Sequence, residues 1–165
     1  MKKAQIWVTD FMVAASLFVI AILISIQTIT FLESNNEFEN LYLKSYHATN
    51  ILLNSGNPDN WNETNVVMPG ILTNNRLNTS KLLLLKNLPY EFKKRLLLLD
   101  SDFLFVFQKN DEILNITSCS YGYNIIHEQN CSFNLQQLQY DDLIIQKRLV
   151  LYEQELIEMM FYAWQ

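Results

Sequence analysis

The strongest constraint on this chain is its first 32 residues. Met1-Lys2-Lys3-Ala4-Gln5 leads through residues 6–9 to one acid, Asp10, and then to 22 residues, 11–32, that carry no charge. At 1.5 Å per residue a helix of that length measures about 33 Å, enough to cross the hydrocarbon of a bilayer. Lipid offers the backbone no hydrogen bonds, and neither proline nor glycine interrupts the run, so the segment must be helical. Lys2 and Lys3 on its short side predict a single span whose C-terminal side lies outside the cytoplasm.

Beyond Leu32 the apolar pattern thins without stopping. Phe38, Leu41, Tyr42, Ser45, Ala48, Thr49 and Leu52 recur at three- and four-residue steps, the spacing of one helical face. Asn54-Ser55-Gly56-Asn57-Pro58 is a stop, with a glycine suited to a left-handed cap and a proline after it. The spacing therefore predicts one helix over residues 6–54, roughly 70 Å long, apolar in its first half and amphipathic in its second.

The remainder reads as a small mixed domain. Residues 56–64 are turn chemistry closed by Trp61, which suits a core plug or a ligand-stacking platform. Residues 66–72 predict a short extended run. A helix is expected from Thr79 or Ser80, with Leu82, Leu85, Leu88, Phe92, Leu96 and Leu99 as its buried stripe. Residues 102–107 predict a buried strand, Lys109-Asn110-Asp111-Glu112 a turn, and residues 113–117 its partner strand. Residues 143–152 and 156–164 predict two strands around Glu153-Gln154-Glu155, with Arg148, Val150 and Tyr152 on one face and Lys147, Leu149 and Leu151 on the other. A terminal helix over residues 156–161 is the competing reading. The fold class is α+β: a long N-terminal helix packed on a small antiparallel β-sheet head.

Charge and composition narrow the function. A net charge of −5 and a pI near 5.0 argue against a nucleic-acid partner, which needs a basic surface. No 20–50-residue period marks a solenoid. Cys119 and Cys131, outside the cytoplasm, form a disulfide in the simplest reading. The rival is a metal site that adds His127 between them, for which no fourth ligand is evident. Four Asn-x-Ser/Thr sequons, at Asn62, Asn78, Asn115 and Asn130, are candidate N-glycosylation sites. No catalytic set emerges: the two histidines are His47 and His127, and three scattered glycines make no phosphate loop. Asp141-Asp142 and the Asp100/Asp102 pair read as a turn and a cap. The expectation is no enzyme and no cofactor. Tyr121 and Tyr123 are either contact residues or buried aromatics.

The N-terminus allows a cleaved secretory signal, with Ala14-Ala15-Ser16 as its cleavage site, or a permanent signal anchor. A third reading comes from resemblance. Lys2-Lys3-Ala4-Gln5, an acid and an apolar run resemble the precursors of archaeal type IV pilin-like proteins, which share a very short basic leader. Gly-x-Pro-x-x-Trp at 56–61, Val-Val-x-Pro-Gly-Ile-Leu at 66–72, Asn-x-Arg-Leu-Asn at 74–78 and Leu-Pro-Tyr-Glu at 88–91 are similar to uncharacterised members of that class. The resemblance spans residues 2–107 and weakens beyond.

It implies a peptidase cut between Ala4 and Gln5, and a carboxylate at Asp10 that neutralises the new α-ammonium of a neighbouring subunit. Ala4 stands where glycine is usual. Asp10 becomes the sixth mature residue where glutamate is usual at the fifth, a spacing that a cut after Gln5 would restore. Asp10 also reads as an ordinary helix-flanking acid stabilised by the helix dipole. The implied domains are a leader 1–4, a transmembrane or filament-core helix 5–32, its amphipathic continuation 33–56, and an exported head 57–165. The implied function is a structural subunit of a cell-surface filament. Its partners would be the membrane, a prepilin-type peptidase, the pilus assembly machinery and other copies of itself or related pilins. A monomeric single-pass protein with an extracellular binding domain is the alternative.

Overall fold

Helix α1 spans Lys2–Leu52, and the absence of glycine and proline before Gly56 is what permits its 51 residues. The computed structural model describes residues 2–125, 131, 132, 135 and 138–165, with side chains for all of these except 2–9 and 29–36. Two compact units divide the chain, Met1–Glu39 and Asn40–Gln165, so residues 40–52 of α1 belong with the head. Within the head, Leu41, Ser45, Ala48, Thr49 and Leu52 are buried and form the expected stripe. Tyr42 sits about 100° around the helix from Leu41, at the stripe's margin, and stays exposed, as does Phe38.

The end of α1 is tied off by returning chain. The Ile71 N–H donates to the Leu52 carbonyl (2.8 Å) and the Leu72 N–H to that of Asn54 (3.0 Å). The buried Lys81 ammonium donates to the Ser55 and Leu72 carbonyls, at 2.5 and 3.0 Å. The bonds to Leu52, Asn54 and Ser55 satisfy carbonyls at or just past the helix end, which otherwise lack partners. Trp61 closes the junction: it is 2% exposed, and its indole N–H donates to the Gly70 carbonyl at 2.8 Å. Gly70 is required by close approach, because a Cβ there would lie 2.1 Å from the Gly56 nitrogen and 2.2 Å from the Asn54 oxygen.

Short strands β1 (Leu72–Thr73) and β2 (Arg76–Leu77) form a hairpin around Asn74 and Asn75, both at positive φ as a two-residue loop demands. The expected extended run over 66–72 reduces to β1 and one bridge, Asn57 to Met68. Pro69 lacks a donor and Gly70 is pressed against residues 54–56, so no ladder forms there.

The single helix expected over residues 79–99 is two. Helix α2 (Thr79–Asn87) starts at Asn78, whose Oδ1 accepts the Ser80 and Lys81 N–H groups. It stops because Pro89 forces Leu88 out of the helical region, to φ −63°, ψ 143°. Helix α3 (Tyr90–Leu96) restarts beyond it. Leu82, Leu85, Leu88 and Leu99 still reach the core, Phe92 and Leu96 partly.

Strands β3 (Asp102–Lys109), β4 (Glu112–Ile113), β5 (Tyr121–Gly122), β6 (Leu143–Tyr152) and β7 (Glu155–Trp164) complete a sheet of order β1-β2-β6-β7-β3-β4, with β5 also on β3. All pairings are antiparallel except β2 with β6. The partner strand expected over 113–117 is confined to Glu112–Ile113, because the chain then leaves β3 for the disulfide and returns as β5. The terminal hairpin forms, and the competing terminal helix does not.

β3 is buried on both faces, which explains its unbroken apolar run. Phe103, Phe105 and Phe107 face the main core with α1, α2 and the inner residues of β6 and β7. Leu104 and Val106 face a second, smaller core with Cys119, Leu138, Tyr162 and Trp164. On β6, Ile144, Gln146 and Val150 point inward while Ile145, Lys147 and Leu149 are exposed, in the alternation read from the sequence.

Gly70→Ala is expected to destabilise the head by about 2 kcal/mol, because its methyl meets backbone that cannot move aside. Leu83→Ala, at an exposed position, should change stability by less than about 0.5 kcal/mol. Thermal or denaturant unfolding of the two variants checks the contrast.

Candidate functional site

In the N-terminal unit, Asp10–Thr28 is a 19-residue stretch of mean hydropathy 2.3 with none of it buried. Phe11, Leu17 and Leu23, exposed by 74%, 63% and 56%, point about 120° apart around the axis, so the segment is apolar on every side. Its hydroxyls look after themselves. Ser16, Ser25 and Thr28 each donate back to the carbonyl four residues earlier, at 2.8 Å. Backbone and hydroxyls thus need nothing from water, and the segment is long and apolar enough to span a membrane.

Asp10 is the one ionisable side chain of that stretch, and among the described residues its carboxylate has no partner. It lies more than two turns after the helix start at Lys2. The helix dipole acts chiefly within the first turn, and Asp10 stands beyond it. Ala4 and Gln5 are in the helical backbone of α1.

In the head, Cys119 and Cys131 form a disulfide, with a Cα–Cα distance of 5.1 Å. Both sulfurs are consumed, so the cysteine–histidine metal site has no thiolates to offer; His127 lies outside the described residues. His47 is exposed on α1. Among the described residues no three His, Cys, Asp or Glu side chains gather as metal ligands.

The sequons differ in accessibility. Asn62 is exposed, and its Oδ1 accepts the Thr64 N–H (2.9 Å) and hydroxyl (2.7 Å). Asn115 is exposed. Asn78 is committed at both ends of its amide, to the cap of α2 and to the Thr73 hydroxyl. Asn130 lies outside the described residues.

Tyr121 is buried, stacked on Phe105, and is no contact residue. Tyr123 is 42% exposed and meets Tyr90 and Trp164 edge-on. It borders a cleft of about 310 Å³ with Asp102, Ile125, Leu138, Gln139 and Trp164. Asp102 is not a base waiting for a substrate. Its Oδ1 accepts the Tyr90 hydroxyl (2.8 Å) and the Lys94 ammonium (3.1 Å). Burial, with Asp102 adding to it, pushes the Tyr90 hydroxyl well above its ordinary pKa, so that group stays a donor.

The hydrogen bond from Lys44 holds the Asp100 carboxyl below the usual range at 2.6 Å, yet Asp100 is largely exposed and the pair contributes little. Sequence periodicity did not single out the buried lysines Lys81 and Lys93, because a lysine on a helix normally signals the solvated face.

Cys119→Ser should lower head stability by about 3 kcal/mol, the loop-closure entropy of a 12-residue separation. Reduction of the wild type should reproduce that loss in a denaturant titration, and leave the serine variant unmoved. No protein-family model, no curated protein and no solved structure matches the chain.

Proposed function

We propose that this protein is a structural subunit of a type IV pilus-like cell-surface filament, inserted in the membrane by its N-terminal helix and later assembled through it. The observation that carries the reading is the Asp10–Thr28 surface: apolar all round, exposed, and internally hydrogen-bonded. Such a surface suits lipid first and identical helices afterwards, since both present the same apolar contact. The disulfide supports an oxidising, extracytoplasmic place for the head. Two exposed sequons on the head, at Asn62 and Asn115, suit the same location.

In this reading a prepilin-type peptidase removes the residues up to Ala4, and the assembly machinery draws the subunit from the bilayer. Asp10 then meets the free α-ammonium at Gln5 of a neighbouring copy. That pairing supplies the partner such an acid needs, because a carboxylate among apolar helices is costly alone. The helix holds the polymer and the head presents its surface.

The test joins the mass of the native N-terminus with electron microscopy of the native cells. Loss of four or five residues together with filaments containing this chain is expected. Asp10→Ala should leave membrane insertion intact and abolish filaments. An intact Met1, or normal filaments from Asp10→Ala, would contradict the proposal and leave a permanently anchored monomer.

A further inference from the structure

The sequons at Asn62, Asn78 and Asn115 lie among the described residues, and the fold treats them differently. Asn62-Glu63-Thr64 is exposed at every position. It sits on a turn whose base is fixed by the core. Buried Trp61 donates its backbone N–H to the Pro58 carbonyl at 3.0 Å, and the Val66 N–H returns to the Asn62 carbonyl at 3.1 Å. The Asn65 Oδ1 accepts the Asn62 N–H at 2.6 Å. Inside the sequon the Thr64 N–H and hydroxyl both donate to the Asn62 Oδ1, at 2.9 and 2.7 Å. Amide and hydroxyl therefore meet each other at the surface. Both bonds end on the oxygen, whereas a sugar is carried by Nδ2.

The fold has engaged the other two. Asn78 is half-buried: its Oδ1 accepts the Ser80 and Lys81 N–H groups that start α2, and its Nδ2 donates to the Thr73 hydroxyl at 3.0 Å. A sugar on that nitrogen would crowd both the helix cap and the β1–β2 hairpin. Asn115-Ile116-Thr117 has an exposed asparagine, yet its hydroxyl is drawn inward. The Thr117 and Tyr121 hydroxyls share a hydrogen bond of 2.8 Å, and Tyr121 is buried. Ile116 packs against the main core.

We propose that Asn62 is N-glycosylated on the folded head, and that Asn78 and Asn115 are left bare. An Asn-x-Ser/Thr acceptor must offer its amide nitrogen and its hydroxyl to one enzyme, which a surface turn allows and a helix cap or a buried hydroxyl does not. The donor is a sugar joined through its anomeric carbon to a lipid phosphate. The Asn62 Nδ2 forms a bond to that carbon as the carbon's bond to the phosphate oxygen breaks. The electron pair leaves with the lipid phosphate, one amide proton passes to a base of the transferring enzyme, and nothing is oxidised or reduced. The product places a bulky, hydrophilic group on the turn. This site rests on the exported head of the reading above and does not need the chain to polymerise.

Mass spectrometry of the full chain from its native cells tests the assignment. Cleavage after lysine and arginine leaves Asn62 in the fragment 45–76 and Asn78 in 77–81, and cleavage after glutamate leaves Asn115 in 113–128. Added sugar mass is expected on 45–76, and the unmodified mass on the other two. Thr64→Ala, which keeps Asn62, should lose the sugar, and Thr64→Ser should retain it. Asn62 bare in the wild type, sugar retained in Thr64→Ala, or sugar on Asn78 or Asn115 as often as on Asn62 would each overturn the proposal. The same digest, run without reductant, separates this failure from that of the export reading. Bare Asn62 beside an intact Cys119–Cys131 disulfide sinks the sugar site alone, while bare Asn62 with free thiols sinks the exported head as well.

Discussion

An apolar helix in water is the constraint on which everything else turns. Phe11, Met12, Val13, Leu17, Phe18, Val19, Ile20, Ile22, Leu23, Ile24 and Ile26 are all exposed. Covering side chains of this kind is worth on the order of 20 kcal/mol in total. That exceeds the ~5–15 kcal/mol net stability of a typical domain, so the segment does not stay bare. Lipid and neighbouring helices are the two environments that satisfy it without asking for hydrogen bonds, which the segment has already made internally. Asp10 sits at the edge of that surface as its one ionisable side chain.

The head is organised by a different device, one strand with two buried faces. Odd residues of β3 supply the phenylalanines of the main core, and even residues the floor of a smaller one. The second core is thin, and the Cys119–Cys131 bond lies in it, where loop entropy supplements limited apolar burial. The same stretch that leaves Cys119 forms β5 on β3. Core and crosslink are thus two consequences of the chain returning to one strand.

Sequence periodicity conveyed the long elements well and the short ones poorly. α1, β3 and the β6–β7 hairpin each repeat one pattern over many residues, so chance agreement is small. The break at Leu88-Pro89 was written in the sequence, but the leucine stripe runs through it with helical spacing. A stripe reports which side is buried and says less about whether the backbone between is continuous. β1, β2, β4 and β5 have two residues each, too few to show a period. The burial of Lys93 was hidden for another reason: it depends on how α3 settles after the break.

A photo-crosslinking amino acid at Leu17, in the middle of the apolar surface, tests the central claim most directly. Activated in native cells, it reports what covers that surface. The account predicts a covalent adduct of two copies of this chain, recovered from the extracellular filament fraction. Adducts with lipid alone, in the membrane fraction alone, would contradict it.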